Sequence, residues 1–175
     1  MDILWAALIP LAAISVDVNI SDKVTSTNVL EHNKAIVSSI FERIGVQIRW
    51  REGEPSPDSF EIRVVQHAPP TASAEAMAST LIAGGAITVY EDRVRQRMGR
   101  AHPGAANIAL AYVFAHKLAH AIQGVGRHSD SGILKAYWTN DDFTAMLFNK
   151  LVFTEFDATL IRKRLATRQS ALAMK

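Results

Sequence analysis

The 175-residue chain contains no cysteine. Disulfides, thiolate metal sites and thiol nucleophiles are excluded together, so any metal must be held by His, Asp or Glu. Charge of one sign is lacking as well. Nineteen Lys and Arg stand against 17 Asp and Glu, and a net charge of +2 does not supply a large nucleic-acid footprint. No apolar run reaches the ~18–20 residues that cross a bilayer, so no stable membrane insertion is expected. What remains is the composition of a folded globular chain, 49% hydrophobic and 21% charged, of a length that suits one domain.

The N-terminus is apolar from Ile3 to Ile14. It has the length of the apolar core of an export signal, and Ala13 and Ser15 are small residues of the kind found at a cleavage site. Asp2 stands where a basic residue is usual. The reading is a signal over 1–15 and a single domain over 16–175, in a secreted or periplasmic protein. A buried N-terminal helix or strand in a cytoplasmic protein is the alternative.

Val16, Val18 and Ile20 alternate with polar residues, as do Val46, Ile48 and Trp50, then Phe60, Ile62 and Val64; each set predicts a half-buried strand. Between the first two, Leu30, Val37, Ile40, Phe41 and Ile44 have helical spacing, opened by Thr27 or Asn28 and stopped by Gly45. Thr71 to Ala83 reads as small-residue loop or short helix, and Ile87–Tyr90 as a short fourth strand. Ala105 to Gln123 is apolar nearly all round, which predicts a buried central helix ending at Gly124. Thr139 with Asp142 three residues on is a capping box. Phe143, Leu147, Leu151 and Leu160 continue at helical spacing to near Ala166. Arg162, Lys163, Arg164, Arg168 and Lys175 read as a solvated helix end. The expected architecture is α+β: a mixed sheet of four to five strands, a buried helix, and a helical C-terminal part.

Three of the six histidines fall within thirteen residues: His116, His120 and His128. A spacing of four places His116 and His120 on one helix face, about 5–6 Å apart. Two imidazoles so placed can meet one tetrahedral ion, and Gly124 and Gly126 let the chain turn back so that His128 supplies a third nitrogen. The plainer alternative is a pair of core histidines satisfied by backbone carbonyls. Both interrupt an apolar helix, where polar side chains are costly without partners. His32, His67 and His102 have no partners at ligand spacing and read as surface residues.

The run Val113-Phe-Ala-His-Lys-Leu-Ala-His-Ala-Ile-Gln-Gly-Val-Gly-Arg-His128, continued by Ser129 to Trp138, resembles the active-site region of zincin-class zinc metallopeptidases. The resemblance is to a small, secreted bacterial subgroup of metzincin-like layout, in which His-Glu-x-x-His is followed by Gly, Arg-His-Ser and Gly-Ile-Met. It implies Zn2+ bound by His116, His120 and His128, hydrolysis of peptide bonds, and an extended peptide or protein substrate. It also implies that Ile87, Thr88, Val89 and Tyr90 form the edge strand along which the peptide lies.

Three positions depart from the family pattern. His128 follows His120 by eight residues rather than the six usual in metzincins, and Leu134 replaces the methionine of the turn beneath the metal. Lys117 replaces the general-base glutamate. An ammonium group, with an ordinary pKa near ~10.4, is an acid at neutral pH and adds positive charge beside a dication. The resemblance therefore implies an impaired peptidase, or a non-catalytic module that binds extended peptides. Among other polar residues, Glu155 and Asp157 are candidates to hydrogen-bond a ligand histidine. Tyr137 is a candidate to polarise a substrate carbonyl. A site of three imidazoles needs them neutral, so the metal is expected to leave below about pH 6.

Overall fold

The structure, a computed structural model, describes residues 14–81, 85–101 and 105–174. The apolar segment read as an export signal lies outside these, except for Ile14 and Ser15, which open the first strand and pair with Val46 and Gln47. His102 also lies outside them.

The elements are β1 (Ile14–Asp22), α1 (Thr27–Glu42), β2 (Val46–Arg51), β3 (Phe60–Val65), β4 (Ala78–Leu81), β5 (Ala86–Tyr90), α2 (Glu91–Ala101), α3 (Ala106–Gln123), α4 (Asn140–Leu147) and α5 (Glu155–Ala173). The class is α+β. The five strands form one mixed sheet in the order β2-β1-β3-β5-β4, with β4 antiparallel to β5 and the other pairs parallel.

Alternation along the strands decides which face packs. Val16, Val18, Val46, Ile48, Phe60, Ile62, Val64, Ile87 and Val89 are buried, and α1 and α3 pack together in the same core. On the intervening positions of β1 and β2, Asp17 pairs with Arg49 and Arg51. Alanine at 109, 111, 115, 119 and 121 keeps α3 slim enough to be enclosed by neighbours, and nearly all of it is buried. Gly124 closes the helix in the left-handed conformation, φ 70°, its N–H on the His120 carbonyl.

Four expectations need correction. Thr71 to Ala83 is not all loop or helix: Ala78–Leu81 forms β4. Ile87–Tyr90 is a strand but not an edge, because β3 lies on one side of β5 and β4 on the other. The terminal strands of the described sheet are β2 and, next to β5, β4. The C-terminal part is not one helix: α4 ends near Asn149, φ 51°, and an extended segment buries Leu151 and Phe153 before α5 begins. Phe153 packs edge-on against Phe41, which anchors that segment to α1. The arginines of α5 are not merely solvated, since Arg162 reaches the Ile44 carbonyl and Arg168 stacks over Phe60.

Candidate metal centre

His116 and His120 stand one turn apart on α3 and both are buried. Each ring has one nitrogen committed to the backbone. His116 Nδ1 lies 2.8 Å from the Ile133 carbonyl and His120 Nδ1 3.1 Å from the Val125 carbonyl. A carbonyl can only accept, so both Nδ1 atoms carry the proton and both Nε2 atoms present bare lone pairs. Those two Nε2 atoms lie 2.9 Å apart. Two unprotonated nitrogens at that distance repel unless a cation lies between them.

His128 completes the group. Its ring centroid is 5.4 Å from that of His116 and 4.9 Å from that of His120. One candidate ligand atom from each of the three residues lies within 4.8 Å of the others. Nitrogens held about 2.0–2.1 Å from a tetrahedral zinc are about 3.3 Å apart, a separation of the same order as that within this group. The residues fit a bound metal ion. Backbone satisfaction and metal ligation, alternatives for the histidine pair in the sequence, use different nitrogens of the same rings.

Burial, followed by the charges of neighbouring side chains, holds the imidazoles neutral. His116 is pushed down to about 3, first by burial and then by His120 and Lys117. His120 is pushed down to about 4, first by burial and then by Lys117. His128 is lowered by burial and by the charges of Lys117 and Arg127. Neutral rings are the state a metal requires.

A cleft of about 230 Å³ opens beside the histidines. One wall is the Ser73–Ala78 stretch leading into β4; the other includes Lys117, Lys135, Tyr137 and Trp138. Lys117 is half-buried, and no carboxylate pairs with it among the described residues. Burial lowers its pKa. Glu75, the acidic residue of the lining, is engaged by Arg97 at 2.7 Å.

The remaining candidates divide. Tyr137 lines the cleft with its side chain exposed, in place to meet a ligand. Leu134 is fully buried. Glu155 bonds Arg162, and Asp157 bonds Arg127, Ser129 and Thr154. Neither hydrogen-bonds His116, His120 or His128; the carbonyls of Ile133 and Val125 bond the first two. Those acceptors were beyond sequence reasoning, because every residue carries a carbonyl. Ile87, Thr88, Val89 and Tyr90 sit within the sheet and are absent from the cleft lining. His32 and His67 are exposed.

No family model matches the chain, and the comparison with curated proteins found no match.

Proposed function

We propose that the chain is a zincin-like zinc-binding protein: a metallopeptidase-type site whose hydrolytic step is impaired at Lys117. The carrying observation is the 2.9 Å approach of two Nε2 lone pairs with both Nδ1 atoms already used. Support also comes from the succession of buried helix, left-handed glycine and returning histidine, and from the α+β order of elements before it. Three neutral imidazoles, with no thiolate or carboxylate among the donors, suit zinc.

A bound zinc supplies Lewis acidity, polarising a peptide carbonyl and acidifying water. His116, His120 and His128 would hold the ion. The backbone carbonyls of Ile133 and Val125 fix two of the rings. An extended peptide pairs along β4, in place of Ile87–Tyr90, because β4 ends the described sheet beside the cleft. Lys117 has no lone pair to offer while protonated, so it does not relay the proton. General-base catalysis is commonly worth ~10²–10⁴-fold, and hydrolysis is slower by at least that factor.

A second reading is a non-catalytic module that grips extended peptides. It is favoured by Glu75, whose pairing with Arg97 leaves no uncommitted carboxylate in the described lining.

The test measures zinc in the purified protein and hydrolysis of casein before and after Lys117→Glu. Stoichiometric zinc, with activity appearing only in the variant, supports the impaired peptidase. Zinc without activity in either form favours the peptide-binding module. A protein without affinity for zinc overturns both.

A further inference from the structure

His128 differs from its two partners in how it is held. The rings of His116 and His120 are each tied through Nδ1 to a carbonyl, whereas no hydrogen bond holds the His128 ring among the described residues. It is also the exposed member of the three and sits in a loop beyond the end of α3. A solvated side chain on an irregular loop has many rotamers and backbone states open to it, and ligating a metal requires one of them.

What restrains the loop is Asp157. Its side chain is fully buried, at the third position of α5. Oδ2 accepts from Thr154 Oγ1 at 2.6 Å, and the Asp157 N–H returns to that hydroxyl at 3.1 Å, which closes the helix start. Capping needs no more than this local pair. The carboxylate nevertheless takes two further donors from about thirty residues away, and they are the chain neighbours of His128. Ser129 Oγ lies 2.8 Å from both carboxylate oxygens, and Arg127 Nη2 donates to Oδ1. The same guanidinium turns back through Nη1 to the His128 carbonyl at 3.2 Å. Ser129 is fixed on its other side by its N–H on the Leu134 carbonyl, at 2.8 Å.

We propose that Asp157 is the positioning residue of the third ligand: by holding Arg127 and Ser129 at once, it fixes where the His128 imidazole stands. The inference rests on the reading of the three histidines as a metal centre. A buried carboxylate is costly unless its oxygens are fully engaged, and here guanidinium, two hydroxyls and the positive end of α5 engage them. α5 thereby acts on the metal centre without touching it.

The test is a double-mutant cycle on zinc affinity, measured by competition with a chromophoric chelator, with visible absorption of the cobalt-loaded protein alongside. Asp157→Asn and Ser129→Ala are each made in the wild type and in His128→Ala. The expected result is a 10- to 100-fold weakening by Asp157→Asn, the range for removing a residue that orients a ligand. Ser129→Ala weakens binding less. The cobalt spectrum of Asp157→Asn moves toward that of His128→Ala. In the His128→Ala background neither change weakens binding further. Equal weakening in both backgrounds would mean that Asp157 only supports the fold, and unchanged affinity would mean that it does not position His128; either overturns the inference. If circular dichroism shows Asp157→Asn unfolded, the Ser129→Ala cycle decides by the same criterion. A wild type that binds no zinc overturns the metal centre itself, and this inference with it; a wild type that binds zinc with an additive cycle overturns this inference alone.

Discussion

His116 and Trp138 share one acceptor. The imidazole Nδ1 and the indole Nε1 both approach the Ile133 carbonyl, at 2.8 and 3.2 Å, and the rings stand nearly perpendicular with centroids 5.5 Å apart. Any change in the electronic state of His116 is therefore felt by Trp138. Adding zinc to metal-free protein is expected to change indole emission and to saturate at one equivalent. Trp138→Phe, which leaves Trp50 in place, should abolish the response. A full response in that variant would show that Trp138 is not the reporter.

The depressed imidazoles set a pH dependence. In the unfolded chain each histidine titrates near 6.5, whereas in the folded protein His116 and His120 titrate near 3 and 4. Between those values the unfolded state binds more protons, so stability falls as pH drops. The contribution is complete above about 6.5 and is lost at about 1.4 kcal/mol per pH unit for each ring on the way down. Urea unfolding of metal-free protein at pH 7 and pH 5 should show the loss.

The same depression bears on the pH at which a bound metal would leave. Protons compete for these nitrogens less strongly than for free imidazole, so the fold moves metal loss below the ~6 expected for ordinary histidines. Zinc retained after dialysis at pH 5, and lost at lower pH, is the expected outcome. Complete release at pH 6 would contradict it.

Gly132 adopts φ +75°, and a Cβ there would clash with the Val152 carbonyl oxygen. Gly132→Ala adds backbone strain of about 1–3 kcal/mol to that clash. It also displaces Ile133, whose N–H bonds the Val152 carbonyl and whose own carbonyl holds His116. Lower thermal stability together with weaker zinc binding is expected, measured by melting and by chelator competition.

Leu134 is fully buried, and its carbonyl accepts from the Ser129 N–H. Leu134→Ala should cost about 2–5 kcal/mol by opening a cavity. Leu134→Met, which installs the residue implied by the family resemblance, should cost less than about 1.5 kcal/mol because volume is nearly conserved. Chemical denaturation distinguishes the two.

Segments with strong periodicity were legible. The alternation around Val18, Ile48 and Ile62 predicts strands that the sheet contains, and the apolar run ended by Gly124 predicts α3. Thr139 and Asp142 form the capping box their spacing implies. β4 was not legible, because Ala78-Ser-Thr-Leu81 is four residues long and owes its extended form to pairing with β5. α2 was missed in a charged stretch where Val94 and Met98, one turn apart and both buried, were the signal. Leu151 and Phe153, both buried, have the period of two of an extended segment, although Leu151 also fits the helical spacing of Phe143 and Leu147. Asn149 in the left-handed conformation breaks that pattern.

By itself the sequence determined the parts of this site that depend on short-range geometry. Four residues on an α-helix place His116 and His120 on one face whatever surrounds them, the absence of cysteine leaves nitrogen and oxygen donors, and Lys117 follows its histidine by covalent necessity. Only the tertiary structure decided that His128 returns to meet them, that Ile133 and Val125 supply the acceptors, that Asp157 grips the loop from α5, and that β4 closes the sheet beside the cleft. Each of these is a meeting of segments distant along the chain. Such meetings are selected by the packing of the whole core, so no local pattern of residues encodes them.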